Sequence, residues 1–339
     1  MSANFGVQTG SAHMKAYRLT TSGVAPDLSN LPAPEAGPGE VIVEIAACGL
    51  NFADLLMIEG SYQQTPPPPF TLGMELAGTV IGQGPGVTAP ALGTRVAVMA
   101  GSGGLAEAGA FPAEACLPIP DTMPFTDAAA FQIAYGTSHL ALARRARLAA
   151  GETLLVLGAA GGVGLTAIEI GKLMGATVIA CARGADKLAV CKAAGADHLI
   201  DSESGDIRGA VKALGGADVV YDPVGGDQFR AALGATNPEG RILAVGFASG
   251  EVPQIPANHL LVKNIDVIGF WWGGYAHFNP GALRESMAEL ITWYGEGRLS
   301  PHISHCLPLE RAAEAYELLR ARRSTGKIVV TMGADHPAP

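Results

Sequence analysis

Along residues 14–125 the apolar positions fall in short β-branched runs cut by glycine and proline, such as Val41-Ile-Val-Glu-Ile45, Gly78-Thr-Val-Ile81 and Thr94-Arg-Val-Ala-Val98. Runs of this length between such breakers predict an irregular, mostly β region. Four consecutive prolines, Pro66 to Pro69, can continue neither a helix nor an interior ladder and predict an extended surface loop.

The rhythm changes near residue 127. A helical pattern covers residues 127–148, with Asp127 placed to cap it and Gly151 beyond its basic end. Apolar and helical runs then alternate: strands over 153–157, 177–182, 198–200, 218–221 and 241–245, helices over 162–174, 185–194, 207–214 and 228–233. Apolar strands buried on both faces and joined by helices of about ten residues predict a parallel sheet with right-handed crossovers. One more strand is predicted over 265–270, then amphipathic helices around 281–297 and 309–322 and a strand over 327–331. That tail does not extend the alternation and is assigned back to the first domain. The expected division is a discontinuous first domain, residues 14–126 and 273–339, with a doubly wound α/β domain over 127–272 inserted into it.

Composition changes this picture little. The 339 residues suit two domains. Residues 1–13 lack the charged start and apolar core of a secretory signal and read as a disordered or appended leader. No stretch of about 18 residues is continuously apolar, which argues against a membrane span. The net charge of −9 comes without basic blocks, which argues against nucleic acid as a partner. Cys48, Cys116, Cys181, Cys191 and Cys306 are odd in number and never in a C-x-x-C pair, as expected of small hydrophobes in a reducing cytoplasm.

The candidate chemistry lies at the first strand of the alternating region. Gly158-Ala-Ala-Gly-Gly-Val-Gly164 follows it at once and opens a helix. In this βαβ context Gly161 lets backbone amides approach a pyrophosphate, Gly164 lets the helix pack on the strand, and the positive helix end faces the phosphates. The fingerprint is A-x-G-x-x-G, with Ala159 where the first glycine is usual. At the end of the next strand an NAD site usually carries an acidic residue for the ribose 2′-hydroxyl. Here Ala182 stands in that place, followed by Arg183 and Lys187. Two cations where a 2′-phosphate would lie, and no carboxylate at the strand end expected to repel it, predict NADP(H).

These motifs, taken with Cys48-Gly-Leu-Asn-Phe-Ala-Asp54, Glu59-Gly-Ser-Tyr62, Gly73-Met-Glu75, Tyr135-Gly-Thr-Ser138, Asp222-Pro-Val-Gly-Gly226 and Ser324-Thr-Gly-Lys-Ile-Val-Val330, resemble the medium-chain dehydrogenase/reductase superfamily over nearly all of residues 14–331. The likeness is greatest to its quinone oxidoreductase branch. The resemblance implies a GroES-like catalytic domain whose cleft faces a Rossmann sheet. It implies that Asn51 and Asp54 lie near the nicotinamide ribose, that Tyr62 borders the substrate cavity, and that Thr137 helps fix the cofactor. It also places Ala160, Gly161, Gly162, Val163, Gly164, Ser202 and Phe247 at the cofactor. Asn51 and Asp54 can equally be read as a cap of the helix that follows, and the two roles can coexist. Two positions depart from the branch: Ser202 replaces an aromatic hydroxyl, and Ile58 stands where some relatives place an arginine near the substrate mouth.

Zinc-dependent relatives use a cysteine and a histidine where this chain has Asn51 and Met74, neither a good substitute for thiolate or imidazole, so no metal site is expected. Hydride transfer to an acceptor already poor in electrons needs little Lewis-acid help. The leading expectation is an NADPH-dependent quinone oxidoreductase. Reduction of enoyl, alkenal or enoyl-CoA double bonds is the enzymatic alternative, and an NADPH-binding structural or RNA-binding protein the non-enzymatic one. His139, His259, His302 and His305 are proton donors by type alone. Phe270-Trp-Trp272 and Tyr275 could wall an acceptor cavity or a subunit contact. The apolar strand at 265–270 predicts a homodimer joined at its edge.

Overall fold

The structure, a computed structural model, describes residues 13–203 and 205–333. The expected leader therefore lies outside the described residues, apart from His13, which opens the first strand. The chain forms two compact units. One holds the N-terminal part through Ala130, residues 305–323 and the chain from Ile328; the other holds residues 131–304 and 324–327.

The first unit begins with β1 (His13–Leu19) and β2 (Asp27–Pro32), then β3 (Glu40–Gly49), α1 (Phe52–Glu59), β4 (Phe70–Thr71), β5 (Glu75–Gln83), β6 (Arg95–Met99), β7 (Ala108–Pro112), β8 (Cys116–Pro118) and α2 (Phe125–Ala129). β2, β1 and β4 form a small antiparallel sheet. β3 pairs antiparallel with β5 and β7, and β5 with β6. Strand residues Val41, Val43, Leu76, Val96 and Val98 are buried. The short β-branched runs of the sequence thus close a β core, as predicted.

The second unit contains α3 (Gln132–His139), β9 (Thr153–Leu157), α4 (Gly162–Leu173), β10 (Thr177–Ala182), α5 (Ala185–Ala193), β11 (His198–Asp201), α6 (Ile207–Ala213), β12 (Ala217–Asp222), α7 (Gly226–Ala235), β13 (Thr236–Ala244), α8 (Ala257–Lys263), β14 (Asp266–Gly269), α9 (Tyr275–Phe278) and α10 (Pro280–Gly295). Its sheet runs in the order β11-β10-β9-β12-β13-β14, and every pair is parallel. Leu154 to Leu157, Val178 to Cys181 and Val219 to Tyr221 are buried without exception, which is why they read as continuous apolar runs. On one side Leu155, Ile179, Val220, Phe229 and Ile242 share a core cluster. Beyond this unit the chain returns through β15 (Ile303–Pro308), α11 (Ala312–Arg320) and β16 (Lys327–Thr331), the last pairing antiparallel with β3.

Two expectations are corrected. The single helix over 127–148 is broken into α2, α3 and a wider π-type turn at Leu140–Ala146, ended by Arg147 in the left-handed region. α2 packs on β3 and β5 in the first unit, whereas α3 packs on α4 in the second, so one apolar periodicity serves two cores. Asp127 is not the cap, because Pro124 occupies that position. The second correction concerns the tail: residues 273–304 belong with the nucleotide-type sheet. α10 packs on α3, Phe131 meets Tyr294 edge to face at 5.7 Å, and His139 meets Trp293 at 5.3 Å. The boundaries thus fall at 130/131, 304/305, 323/324 and 327/328.

An ion pair fixes the turn before β9. Arg241 on β13 donates to both carboxylate oxygens of Glu152 at 2.7 and 2.8 Å and to the Ala146 carbonyl at 2.9 Å. The arginine hydrogen bond holds the Glu152 carboxyl below its ordinary pKa, and the Ala149 amide adds to this. A depressed carboxylate pKa stabilises the fold above the unfolded value of about 4.3 and ceases to do so as pH falls through the folded value. We expect Glu152→Gln to lose about 1–2 kcal/mol at pH 7. In urea unfolding the gap from wild type should narrow once pH falls below about 4.3 and close as pH passes the lower folded value, and a gap that does not narrow in acid would refute the pairing as its source.

Candidate functional site

β9 ends at Leu157, and the chain turns through Gly158 to Gly161 before α4 begins at Gly162. Gly161 is the N-cap and has no side chain to satisfy the first-turn amides of α4, which lack intrahelical acceptors. Those amides point outward at the positive end of a 12-residue helix. A Cβ on Gly164 would lie 2.5 Å from the Gly158 carbonyl oxygen and 2.7 Å from that of Ala159. Only a glycine there lets the helix approach the turn so closely. A diphosphate therefore fits this cradle by amide donation and by the helix field.

Three other expected cofactor residues of this unit follow the C-terminal ends of the same parallel strands. Arg183 follows β10 and is exposed, Lys187 on α5 is half-buried, Ser202 follows β11, and Phe247 follows β13 with its ring partly exposed. Asp222, at the end of β12, accepts hydrogen bonds from Val224 and Gly225 at 2.7 and 2.9 Å, which shapes the Asp222–Gly226 turn; burial pushes its carboxyl pKa up. Thr137 is buried on α3. Its neighbour Ser138 makes the visible bonds to α4, donating to the Val163 carbonyl at 2.9 Å and lying 2.8 Å from Thr166 Oγ1 and 3.1 Å from the Tyr221 hydroxyl.

Sequence reasoning missed two features here. The first is a carboxylate beside the expected 2′-phosphate position: Glu203 Oε1 lies 3.6 Å from Arg183 Nε. The expectation that no carboxylate would repel a phosphate there is thereby corrected; the signal was present in the sequence, one residue past Ser202, but pairing across β10 and β11 brings it there. The second is residues 324–327, which pack on the glycine turn. Gly326 N–H donates to the Ala160 carbonyl at 2.8 Å, Gly326 bridges Gly161, and Thr325 Oγ1 lies 2.9 Å from His302 Nε2. The buried Lys327 lays its methylenes over Gly162, its Cδ 3.1 Å from where a Cβ on that glycine would be.

Asn51, Asp54 and Tyr62 belong to the other unit. Asp54 is 0 % exposed, and its carboxylate accepts from the Asn51 backbone N–H at 2.8 Å, closing a capping box on α1. The Asn51 amide donates to the buried Glu75 at 3.0 Å and to the Gly49 carbonyl at 3.3 Å. The Cys48–Asp54 and Gly73–Glu75 motifs are thus joined through one side chain. Tyr62 is half-buried in the turn after α1, where its carbonyl accepts from Thr65. Ile58 is buried in the core of this unit rather than presented at a surface.

The residues near the first motif do not fit zinc. Cys48 is buried, with its sulfur close to the Gly73 and Gly104 backbone, and Asn51 and Met74 offer neither thiolate nor imidazole. Among the described residues no three His, Cys, Asp or Glu side chains converge to hold a metal ion.

His139, Ser286 and Glu289 have the order of a nucleophile–base–acid relay, with Ser286 Oγ 2.8 Å from Nδ1 and Glu289 3.4 Å from Nε2. Ser286 is 3 % exposed, so no substrate reaches it, and burial lowers the His139 pKa. The cluster fastens α10 to α3. Of the aromatic group, Phe270, Trp272 and Tyr275 are buried and Trp272 packs on α3, while Trp271 and Phe278 remain exposed.

A parallel six-stranded sheet with a glycine turn that a diphosphate fits, together with a separate β-rich unit, is the architecture of two-domain dinucleotide-dependent oxidoreductases. Comparison with known proteins agrees. Residues 37–121 match the alcohol dehydrogenase GroES-like domain, and residues 162–293 match the zinc-binding dehydrogenase family. The chain is 41% identical over 300 residues to a quinone oxidoreductase-like protein 2 homolog of Nematostella vectensis, covering 87% of this chain and 82% of that one. It is 38% identical to quinone oxidoreductase-like protein 2 of Mus musculus, covering 89% and 87%. A quinone oxidoreductase of Thermus thermophilus, solved also in complex with NADPH, superposes with a TM-score of 0.84 at 36% identity, over 94% of this chain and 100% of that one. The chain belongs to the medium-chain dehydrogenase/reductase superfamily, in its quinone oxidoreductase branch. It is accordingly an NAD(P)-dependent oxidoreductase with a GroES-like and a Rossmann-type domain.

Proposed function

We propose that this protein transfers hydride from NADPH to a quinone or a similarly electron-poor acceptor, without a metal ion. The observation that carries the choice of NADPH is Arg183 at the end of β10, directly after Ala182, where a ribose-binding carboxylate would otherwise stand. The similar Thermus thermophilus enzyme, solved with NADPH, supports the same choice. When bound, the nicotinamide supplies two electrons as hydride; with one proton from solvent they convert quinone to hydroquinone and leave NADP+.

The residues divide the work. The amides at the start of α4, with Ala160 to Gly164, hold the diphosphate, and Arg183, Lys187 and Ser202 hold the adenosine phosphate. Phe247 and Thr137 confine the rest of the cofactor. Asn51 acts on the nicotinamide ribose, with Asp54 keeping it oriented through the capping box, and Tyr62 lines the acceptor cavity. With Asn51 and Met74 in the ligand positions, alkoxide stabilisation by zinc is not part of the reaction. The proposal includes a cytoplasmic homodimer joined at β14, the edge strand of its sheet, beside the exposed Leu261 and Val262.

Steady-state kinetics with NADPH and NADH across quinones, 2-alkenals and enoyl-CoA thioesters tests this reading. Quinones should give the highest kcat/KM. Arg183→Ala should cut the NADPH-to-NADH ratio about tenfold or more, the value of one charge-assisted phosphate contact. Preference for NADH, or an unchanged ratio in the variant, would overturn the assignment. Light scattering of the same sample should return a dimer mass.

A further inference from the structure

The turns after β10 and β11 are locked to each other. Ser202 N–H donates to the Ala182 carbonyl at 2.9 Å. Asp201 Oδ1 accepts from Gly184 N–H at 3.1 Å and from Glu203 N–H at 3.0 Å, and those two bonds hold its carboxyl below the usual range. One carboxylate thereby pins the backbone on both sides, so Arg183 and Glu203 are presented face to face. Their side chains are 61 % and 62 % exposed and 3.6 Å apart. The pair does nothing for the core. It sits at the one place where the proposed cofactor reading needs a cation available to a 2′-phosphate.

We propose that Glu203 is a specificity-determining residue, which occupies Arg183 in the free protein and competes with the 2′-phosphate of NADPH for it. The inference rests on the reading that NADPH binds at Arg183. Binding then exchanges one partner of the guanidinium for another and leaves Glu203 close to a dianionic phosphate. Both consequences weaken NADPH and leave NADH, which has no 2′-phosphate, untouched. Because the pair is exposed, the effect is moderate: an ion pair in water changes an equilibrium by about two- to fivefold. Glu203 would thus set an intermediate NADPH affinity rather than abolish it, and would make that affinity less dependent on salt than Arg183 alone would.

The test is fluorescence titration of the whole protein with NADPH and NADH, and displacement by 2′,5′-ADP and 5′-AMP, for wild type, Glu203→Gln, Arg183→Ala and the double variant. Glu203→Gln should tighten NADPH and 2′,5′-ADP about two- to fivefold, leave NADH and 5′-AMP unchanged, and have a clearly smaller effect in the Arg183→Ala background, where only its repulsion of the phosphate is left to remove. If Arg183→Ala weakens NADPH but Glu203→Gln changes nothing, the competition is refuted while the NADPH reading stands. Equal tightening with and without Arg183 would also refute it, by showing a general field effect. Weaker NADH binding in Glu203→Gln would refute it too, since Glu203 would then be serving the ribose hydroxyl. If Arg183→Ala leaves the two coenzymes' ratio unchanged, it is the NADPH reading that falls, and this inference with it.

Discussion

Gly164→Ala is expected to weaken NADPH and NADH alike by about ten- to a hundredfold. The new methyl would lie 2.5 Å from one backbone carbonyl oxygen and 2.7 Å from the next, both in the turn that forms the diphosphate cradle. Neither contact can be relieved by a rotamer change, so the helix must retreat from the turn or the turn must refold. Inserting a carbon into a packed site costs about 1–3 kcal/mol, and each 1.4 kcal/mol is a factor of about ten in binding. The diphosphate is common to both coenzymes, so their ratio should hold even as both affinities fall. That separates this variant from Arg183→Ala, where the ratio itself moves. Titration by cofactor fluorescence reads both, and undiminished affinity would show that the cradle is elsewhere.

Phe229→Ala is expected to destabilise the protein by about 3–5 kcal/mol, the usual range for emptying a buried aromatic site. Phe229 is fully buried on α7, in the cluster with Leu155, Ile179, Val220 and Ile242 that covers one face of the parallel sheet. No polar contact compensates, and the surrounding strands cannot collapse into the space without breaking their ladders. Urea unfolding followed by circular dichroism measures the loss. A change below about 1 kcal/mol would mean that this face of the sheet is packed differently.

The parallel sheet was legible because its strands are buried on both faces. Residues 154–157 and 178–182 are apolar and buried, each run opened by a half-buried threonine, and the predicted ends agree with β9 and β10. The glycine turn was legible for a local reason, since strand, turn and helix follow each other directly in the chain. What could not be read was which core a helix joins. Residues 127–148 carry one apolar stripe, yet α2 and α3 spend it on different units; residues 280–295 are amphipathic in a way that suits either unit until Ser286, Trp293 and Tyr294 meet their partners, Phe131 and His139, at the two ends of α3. Glu203 escaped notice because its relation to Arg183 depends on the register of β10 against β11, where Ala182 stands opposite Asp201. The capping role of Asn51 and Asp54 was visible in their spacing, whereas the bond from Asn51 to Glu75 needed β3 and β5 side by side.

The contact of Gly326 with Ala160 and Gly161 has a bearing on how this molecule can be dissected. A fragment cut as 131–304 would retain all six strands of the parallel sheet and every glycine of the turn after β9. It would lack the backstop that the distant C-terminal stretch places behind them. Engineers who graft this module onto another scaffold would need to supply that short peptide as well, or accept a glycine turn that has lost its neighbouring strand contact.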